Sequence, residues 1–462
     1  MSEYDRLSGL DSSFLHLEGP TSPMHVGSLA IFEGAPFFDD TGRFRIDEAR
    51  SIIGGRLVKV PRFRKKIMEV PFAQGRPIWV DDEEFDLAYH VRLTALPKPG
   101  NEEQLKTLMG RLQATALDRR RPLWELWFVE GLEGDRVAII QKTHHALVDG
   151  ISGVDVATVI LDLEPTPPPV EATEWEPAPP PSSTQLLVDS LVERATEPAE
   201  IVRSVRAALR GPRRAATTLA KAGRFAVSMT SSAPSTPLNV AVGPHRRFEV
   251  VRLDLAQVKA IKGALGGTVN DVVLALVAGG MRHFLQARSE QVDGLSLRTF
   301  VPVSVRDDSE RMALGNKVSG IVVDLPVGEP DPAARLRAIT AQTRQLKESQ
   351  QAVGAEALMS LADYAPPTLL SLAARLLPRQ RSINLGVTNV PGPQFPLYCM
   401  GARMLEAFPY VGVFASVAVV IAVLSYDGRL GFGLIGDRDA VPDLAALAEG
   451  IDKAVVELAQ SA

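Results

Sequence analysis

The sequence predicts an α/β protein made of two halves with a tether between them. Three observations lead there. Strand-like and helix-like patterns follow one another through residues 85–163. A stretch with eight prolines in residues 164–184 then breaks the pattern, and the same alternation resumes beyond residue 244. With 462 residues, 45% of them hydrophobic, the chain has apolar material for two cores rather than one.

In order, FDLAYHVRLTAL (85–96) and WELWFVEGL (124–132) read as strands, and NEEQLKTLMGRLQATAL (101–117) reads as a helix. RVAIIQKTHH (136–145) reads as a strand that ends in a loop, before the helical pattern of GISGVDVATVILDL (150–163). The proline-rich stretch cannot continue a helix or a central strand, so it reads as an extended connector. Residues 185–210 and 212–229 have helical pattern on either side of Gly211-Pro212. There Arg203, Arg206 and Arg210 share one face and Val202, Val205 and Leu209 another. Such a row binds an anionic lipid surface or ligand phosphates, or it simply keeps its arginines in water.

In the second half, EVVRLDL reads as a strand, followed by a helix from Leu255. TVNDVVLALVAGGMRHFLQAR reads as a central helix, with Thr268 and Asp271 at capping-box spacing. SLRTFVPVSVR is a strand and DLAALAEGIDKAVVELA a closing helix. Tyr410 to Tyr426 is apolar but shorter than the ~20 residues of a membrane-spanning helix. It is rich in valine and followed by Asp427-Gly428, so it reads as buried strand leading to a turn. The expected division is 1–163, 164–243 and 244–462.

Several functions are excluded or disfavoured early. The formal net charge is −5, so no global field recruits nucleic acid. MSEYDRLSGLDSSF lacks the apolar segment of a secretory signal, which predicts a cytoplasmic protein. The single cysteine, Cys399, permits no internal disulfide and no four-cysteine zinc framework, and PLYCMGARM supplies nothing to activate a thiolate. GFGLIG (431–436) matches a dinucleotide fingerprint literally, but it lies inside an apolar run and is followed by DRDAVP instead of a helix. No phosphate-loop, HExxH or GxSxG signature occurs.

QKTHHALVDG, at 141–150, carries the remaining chemistry. A histidine with a reference pKa of ~6.5 accepts a proton near neutrality, and a nearby carboxylate can fix its tautomer. A metal site is awkward, because His144 and His145 are neighbours at a strand end and point to opposite sides. A polar turn without chemistry is the third reading. Spacing alone leaves these open.

The wider sequence adds to this. HHALVDG is joined by LDSSFL (10–15), PRFRKK (61–66), PLWELWFVEGL (122–132), PLNVAVGPHRR (237–247), TVNDVVLA (268–275), VPVSVR (301–306), GNKVS (315–319) and NVPGP (389–393). Together these resemble the landmarks of the bacterial wax ester synthase/diacylglycerol acyltransferases. That HHxxxDG family is related to chloramphenicol acetyltransferase, condensation domains and plant acyl-CoA-dependent acyltransferases. The resemblance implies two chloramphenicol-acetyltransferase-like α/β domains joined by the proline-rich and helical connector.

It also implies transfer of a long acyl group from acyl-CoA to diacylglycerol or a fatty alcohol, with acyl-CoA as co-substrate and no metal or other cofactor. In that reading His145 is the general base and His144 shapes the site. Asp149 holds the loop with Arg306 as candidate partner, and Gly150 permits the turn. Asn270 donates to a substrate oxygen or, alternatively, only caps its helix, and Asp271 supports that helix start. Pro122, Leu123 and Trp124 support an acyl tunnel. Arg246, on charge alone, is a candidate for the CoA phosphates. The expected setting is a peripheral membrane or lipid-droplet surface, without nucleic acid. The alternatives are another HHxxxDG acyltransferase with a different alcohol, and a lipid-binding protein that does no chemistry.

Overall fold

The computed structural model describes residues 4–148, 159–167, 175–192, 231–304, 318–348 and 381–462. Asp149, Gly150, Arg306 and the row of Arg203, Arg206 and Arg210 lie outside them. The first half contains α1 (Gly9–Leu17), β1 (His25–Glu33), α2 (Ile46–Arg56), β2 (Lys65–Met68), β3 (Ile78–Asp81), α3 (Leu87–His90) and β4 (Val91–Ala95). It continues with α4 (Glu102–Ala114), β5 (Trp124–Leu132), β6 (Arg136–His144) and α5 (His145–Val148). Residues 85–96, expected as one strand, divide into α3 and β4. The Asp86 side chain accepts the Ala88 N–H and so caps a helical turn where alternation alone suggested extension.

The second half contains β7 (Arg246–Asp254), α6 (Leu255–Leu265), α7 (Val269–Ala287), β8 (Leu297–Ser304), β9 (Val318–Leu325) and α8 (Pro332–Glu348). Then come β10 (Leu385–Pro391), β11 (Tyr398–Cys399), β12 (Ala402–Val411), β13 (Val419–Tyr426), β14 (Arg429–Asp437) and α9 (Leu444–Gln460). The apolar run from Tyr410 is thus the end of β12 and the whole of buried β13. Asp427 and Gly428, at φ +42° and +80°, turn β13 into β14, as the type I′ hairpin preference for Asp-Gly requires. Among the described residues no single helix is long and apolar enough to cross a membrane.

Twelve of the strands form two six-stranded sheets, ordered β11-β12-β1-β6-β5-β4 and β7-β14-β13-β10-β8-β9, and β2 pairs with β3. The division at residue 244 therefore does not separate the sheets. β11 and β12 come from the second half of the chain yet complete the first sheet, where β12 pairs antiparallel with β1. The physical reason is an open edge: without β12, the outer backbone groups of β1 have no strand partner.

A layer of buried apolar side chains joins the lobes. Leu29, Ile140 and Phe408 of the first sheet meet Phe248, Val420 and Ile435 of the second, together with Leu105 and Met109 of α4. Around its rim, Arg252 on β7 pairs with Glu102 on α4 at 2.7 Å and with Glu406 on β12 at 2.8 Å. The first two glycines of GFGLIG belong to this seam. A Cβ at Gly431 would lie 2.2 Å from the Ala407 carbonyl oxygen, and one at Gly433 would lie 2.0 Å from that of Pro409. These glycines let β14 cross close over β12, which accounts for the motif without a nucleotide.

The described part of the connector is not a loose tether. The Arg64 guanidinium lies 5.1 Å from the Trp175 ring, which also meets Phe85 edge to face. Leu186 is buried with Val70, Ile78 and Val80 beside the β2–β3 pair. The Tyr4 hydroxyl donates to Asp189 at 2.7 Å.

Gly433→Ala is expected to destabilise the protein by about 1–3 kcal/mol through overpacking at the seam. Gly263→Ala lies in α6, where a Cβ meets nothing within 4 Å, and is expected to stabilise by about 0.5–1 kcal/mol. Urea unfolding midpoints of the two variants, moving in opposite directions from the parent, check both.

Candidate active site

Backbone bonds fix the histidine pair before any side chain acts. His144 ends β6 opposite His25 of β1, and its N–H donates to the Leu123 carbonyl at 3.0 Å. His145 begins α5, and its N–H donates to the Met24 carbonyl at 2.8 Å. The two imidazoles have different surroundings. His144 is fully buried, and its Nδ1 accepts the Ala146 N–H at 3.0 Å. That acceptor role leaves the proton of the neutral ring on Nε2. His145 is half-buried, stacked on Phe14 of α1 with ring centroids 4.5 Å apart and 21° between planes.

The carboxylate that meets this pair among the described residues is Glu18, and it faces His144. Its Oε1 lies 3.6 Å from His144 Nε2 and 3.7 Å from His25 Nε2, and accepts the Met24 N–H at 3.2 Å. Its Oε2 accepts Arg119 Nε at 3.0 Å and Nη2 at 2.8 Å. Burial alone would raise the Glu18 pKa, but contact with His144 and the pairing with Arg119 overcome it and hold the carboxyl at about 2. Burial, with Lys142 and His144 nearby, lowers His25 to about 3, so that ring stays neutral. Sequence reasoning placed the carboxylate at Asp149 and missed Glu18, His25, Arg119 and Phe14. The available signal for Phe14, Glu18 and Arg119 was their position inside or beside LDSSFL and PLWELW; His25 lies in no such motif.

Pro122, Leu123 and Trp124 are buried where β5 begins. Leu123 supports His144 through its carbonyl. The Trp124 Nε1–H donates to the Phe63 carbonyl at 2.8 Å, and its ring stacks on His90 at 4.6 Å. His90 Nδ1 returns a hydrogen bond to the Trp124 carbonyl at 2.8 Å. Trp124, with Phe63, Leu126, Thr143 and Ile160, also lines a small apolar cavity with room for about one water molecule. Trp124 is thus a packed core residue, paired with Thr143, the residue before His144 on β6.

Asn270 and Asp271 part company. Thr268 and Asp271 form a reciprocal capping box at the start of α7, and Asp271 also accepts the Thr343 hydroxyl at 2.7 Å. Asn270 takes no part in that box; its Oδ1 accepts Asn389 Nδ2 of the NVPGP segment at 3.4 Å. The helix-capping account of Asn270 therefore does not describe its side chain.

Arg246 departs from the phosphate expectation. Its guanidinium is buried and donates to the carbonyls of Gly243, His245 and Thr21, with Asp437 at 3.8 Å. Burial lowers its pKa, and its bonds tie β7 to the chain between α1 and β1. Charge in the sequence could not distinguish a clamp from a phosphate site. Among the described residues no three metal-ligating side chains are placed to hold a cation.

The family described as "Wax ester synthase/diacylglycerol acyltransferase catalytic domain" matches residues 7–273, and that described as "WS/DGAT C-terminal domain" matches 314–459. A protein of Mycobacterium tuberculosis named "Probable diacyglycerol O-acyltransferase tgs1" is 35% identical over 462 residues, covering 98% of this chain and 96% of that protein. Among solved structures, the wax ester synthase/diacylglycerol acyltransferase from Marinobacter aquaeolei VT8 superposes with a TM-score of 0.69 at 27% identity, covering 99% of both chains. The first condensation domain of the CDA synthetase superposes with a TM-score of 0.56 at 15% identity, over 99% of this chain and 96% of that one. That last likeness is one of fold alone, and it agrees with the chloramphenicol-acetyltransferase-like architecture expected above.

Acid stability follows from these buried rings. His25 and His90 are lowered from 6.5 to about 3 and about 4, chiefly by burial. The unfolded chain therefore takes up protons first, so their contribution is complete above pH 6.5 and is lost as pH falls toward 4 and then 3. Glu18, depressed to about 2, contributes above the ordinary carboxylate range and loses that contribution as pH falls toward 2. Thermal midpoints measured from pH 7.5 to 3.5 are expected to fall with acid. His90→Phe should flatten the part of that slope between pH 6.5 and 4, and an unchanged slope would remove His90 from the account.

Proposed function

The chain belongs to the wax ester synthase/diacylglycerol acyltransferase family and is an acyltransferase, and from that membership we propose a long-chain acyl transfer with His145 as general base. Acyl-CoA is the donor, and the hydroxyl of diacylglycerol or a fatty alcohol is the acceptor. His145 takes the hydroxyl proton as oxygen attacks the thioester carbonyl. The C–O bond forms, the C–S bond breaks, and the proton passes to the departing CoA thiolate. Acceptor and acyl-CoA are bound together, so no acyl-enzyme forms.

The observation that carries this reading is the division of labour within the pair. His144 is locked among Ala146, Leu123 and Glu18, whereas His145 is half-buried against Phe14. A base needs an accessible ring held at a fixed angle, and His145 meets that description. Asp149 and Gly150 complete the proposed loop, with Arg306 as the proposed partner of Asp149. Asn270, facing Asn389 at the start of α7, is proposed to present an amide to a substrate oxygen, and Pro122, Leu123 and Trp124 to support the wall of an acyl tunnel. A long chain gains about 0.8 kcal/mol per buried methylene, so apolar burial supplies affinity without dictating the acceptor.

We also propose that the protein works at a membrane or lipid-droplet surface, reached from the cytoplasm. Phe72 is 83% exposed at a positive φ of +57°, and Val188, Leu191 and Val192 are exposed on the helical segment that packs beside it. A bulky apolar side chain held outward in a strained conformation suits insertion into an apolar phase.

His145→Ala is expected to lower turnover by about 10²- to 10⁴-fold with folding retained. CoA-thiol release in the presence of acceptor measures it, and near-normal turnover in the folded variant removes His145 from the role. A panel of diacylglycerol, fatty alcohols and other alcohols with one acyl-CoA tests the acceptor; ester on another alcohol without neutral lipid would overturn the acceptor class. Phe72→Ser is expected to weaken cosedimentation with anionic liposomes, and unchanged sedimentation would discard that surface.

A further inference from the structure

We propose that Arg119 is a positioning residue for the histidine pair. Its guanidinium ties the Glu18 carboxylate to the carbonyl of Leu15, and so holds together the group that faces His144 and the helix that stacks on His145. Of three consecutive arginines in the loop before β5, only Arg119 has this arrangement among the described contacts. Arg120 is exposed and pairs with its neighbour Asp118, and Arg121 lies over the Tyr89 ring at 4.2 Å. Arg119 instead reaches back about a hundred residues in sequence. Its Nη2 donates to Leu15 O at 2.7 Å and to Glu18 Oε2 at 2.8 Å, while Nε donates to the same carboxylate oxygen at 3.0 Å.

Each arm leads to a different histidine. Through Glu18 the contact continues from Oε1 to His144 Nε2. Through Leu15 it restrains the last turn of α1, whose Phe14 ring lies against the His145 ring. A planar guanidinium makes both connections at once because its donors diverge at fixed angles. An ammonium can satisfy the carboxylate or the carbonyl but lacks that fork. Geometry of this kind matters to rate, since displacing a reacting group by about 1 Å can cost ~10²-fold.

The groups facing Glu18 are His144 and Lys142 from β6, His25 from β1 and Arg119 itself, and His16 of α1 lies within the electrostatic reach of Arg119 and Glu69. Loss of the guanidinium removes the pairing that opposes burial of the Glu18 carboxylate, so the proton taken up there binds at higher pH.

The role rests on the acyltransferase reading with His145 as base. Wild-type CoA release with acceptor tests that reading in the same assay, separately from Arg119. Arg119→Gln is expected to lower kcat by about 10- to 100-fold and to leave KM for acyl-CoA within about twofold. Arg119→Lys should recover part of the loss, and Arg120→Gln should match wild type. Circular dichroism and melting curves establish folding. Should Arg119→Gln fail to fold, Arg119→Lys decides: a rate about 3- to 10-fold below wild type supports the role. Full activity in Arg119→Lys, or a folded Arg119→Gln whose kcat is preserved or whose loss falls on KM instead, would overturn it.

Discussion

β1 lies between β6 and β12, so both of its hydrogen-bonding edges are taken by strands remote from it in sequence. Leu29 sits opposite Ile140 on one side and Phe408 on the other. A slip of one residue in either ladder would turn the apolar face of β1 away from the layer between the lobes, so burial enforces the register. That register places His25 opposite His144, and it leaves the Met24 carbonyl where the His145 N–H begins α5. Beyond β12, the Gly412 N–H reaches the His25 carbonyl at 3.2 Å. A segment from the second half of the chain therefore closes on the residue that faces His144.

The charge arrangement depends on that ladder. A carboxylate as enclosed as Glu18 is stable only with cations and N–H donors around it, and removing one partner from such a group costs far more than a surface pair is worth. The partners come from three places: Arg119 before β5, Met24 before β1 and His144 at the end of β6. None is close to Glu18 on an adjoining helix turn, so the cluster exists only when the sheet is assembled. Its chemical consequence is a fixed tautomer at His144 beside a neighbouring ring that remains accessible.

Much of this was legible beforehand. The strands around 124–132 and 136–145, the helix at 101–117, the Thr268–Asp271 box and the Asp427-Gly428 hairpin follow from local periodicity and turn chemistry, and they form as expected. The family was legible as well, because nine short motifs in fixed order are far more specific than one. GFGLIG shows the opposite case. Its spacing matches a nucleotide fingerprint, but its two leading glycines answer to the carbonyls of Ala407 and Pro409 pressed against them. Arg246 repeats the lesson, since a basic residue reads on charge alone as a phosphate site until its carbonyl partners are seen.

By itself, the sequence determined the two-lobed α/β class, the family and the identity of the histidine pair, because these are written in local period and in short motifs. Only the tertiary structure decided that β11 and β12 belong to the first sheet, since an alternating strand looks the same whichever edge receives it. It likewise decided that Glu18 and Arg119 stand behind the histidines. Pairing between charges about a hundred residues apart depends on where a closed backbone ladder carries them, and no local pattern encodes that.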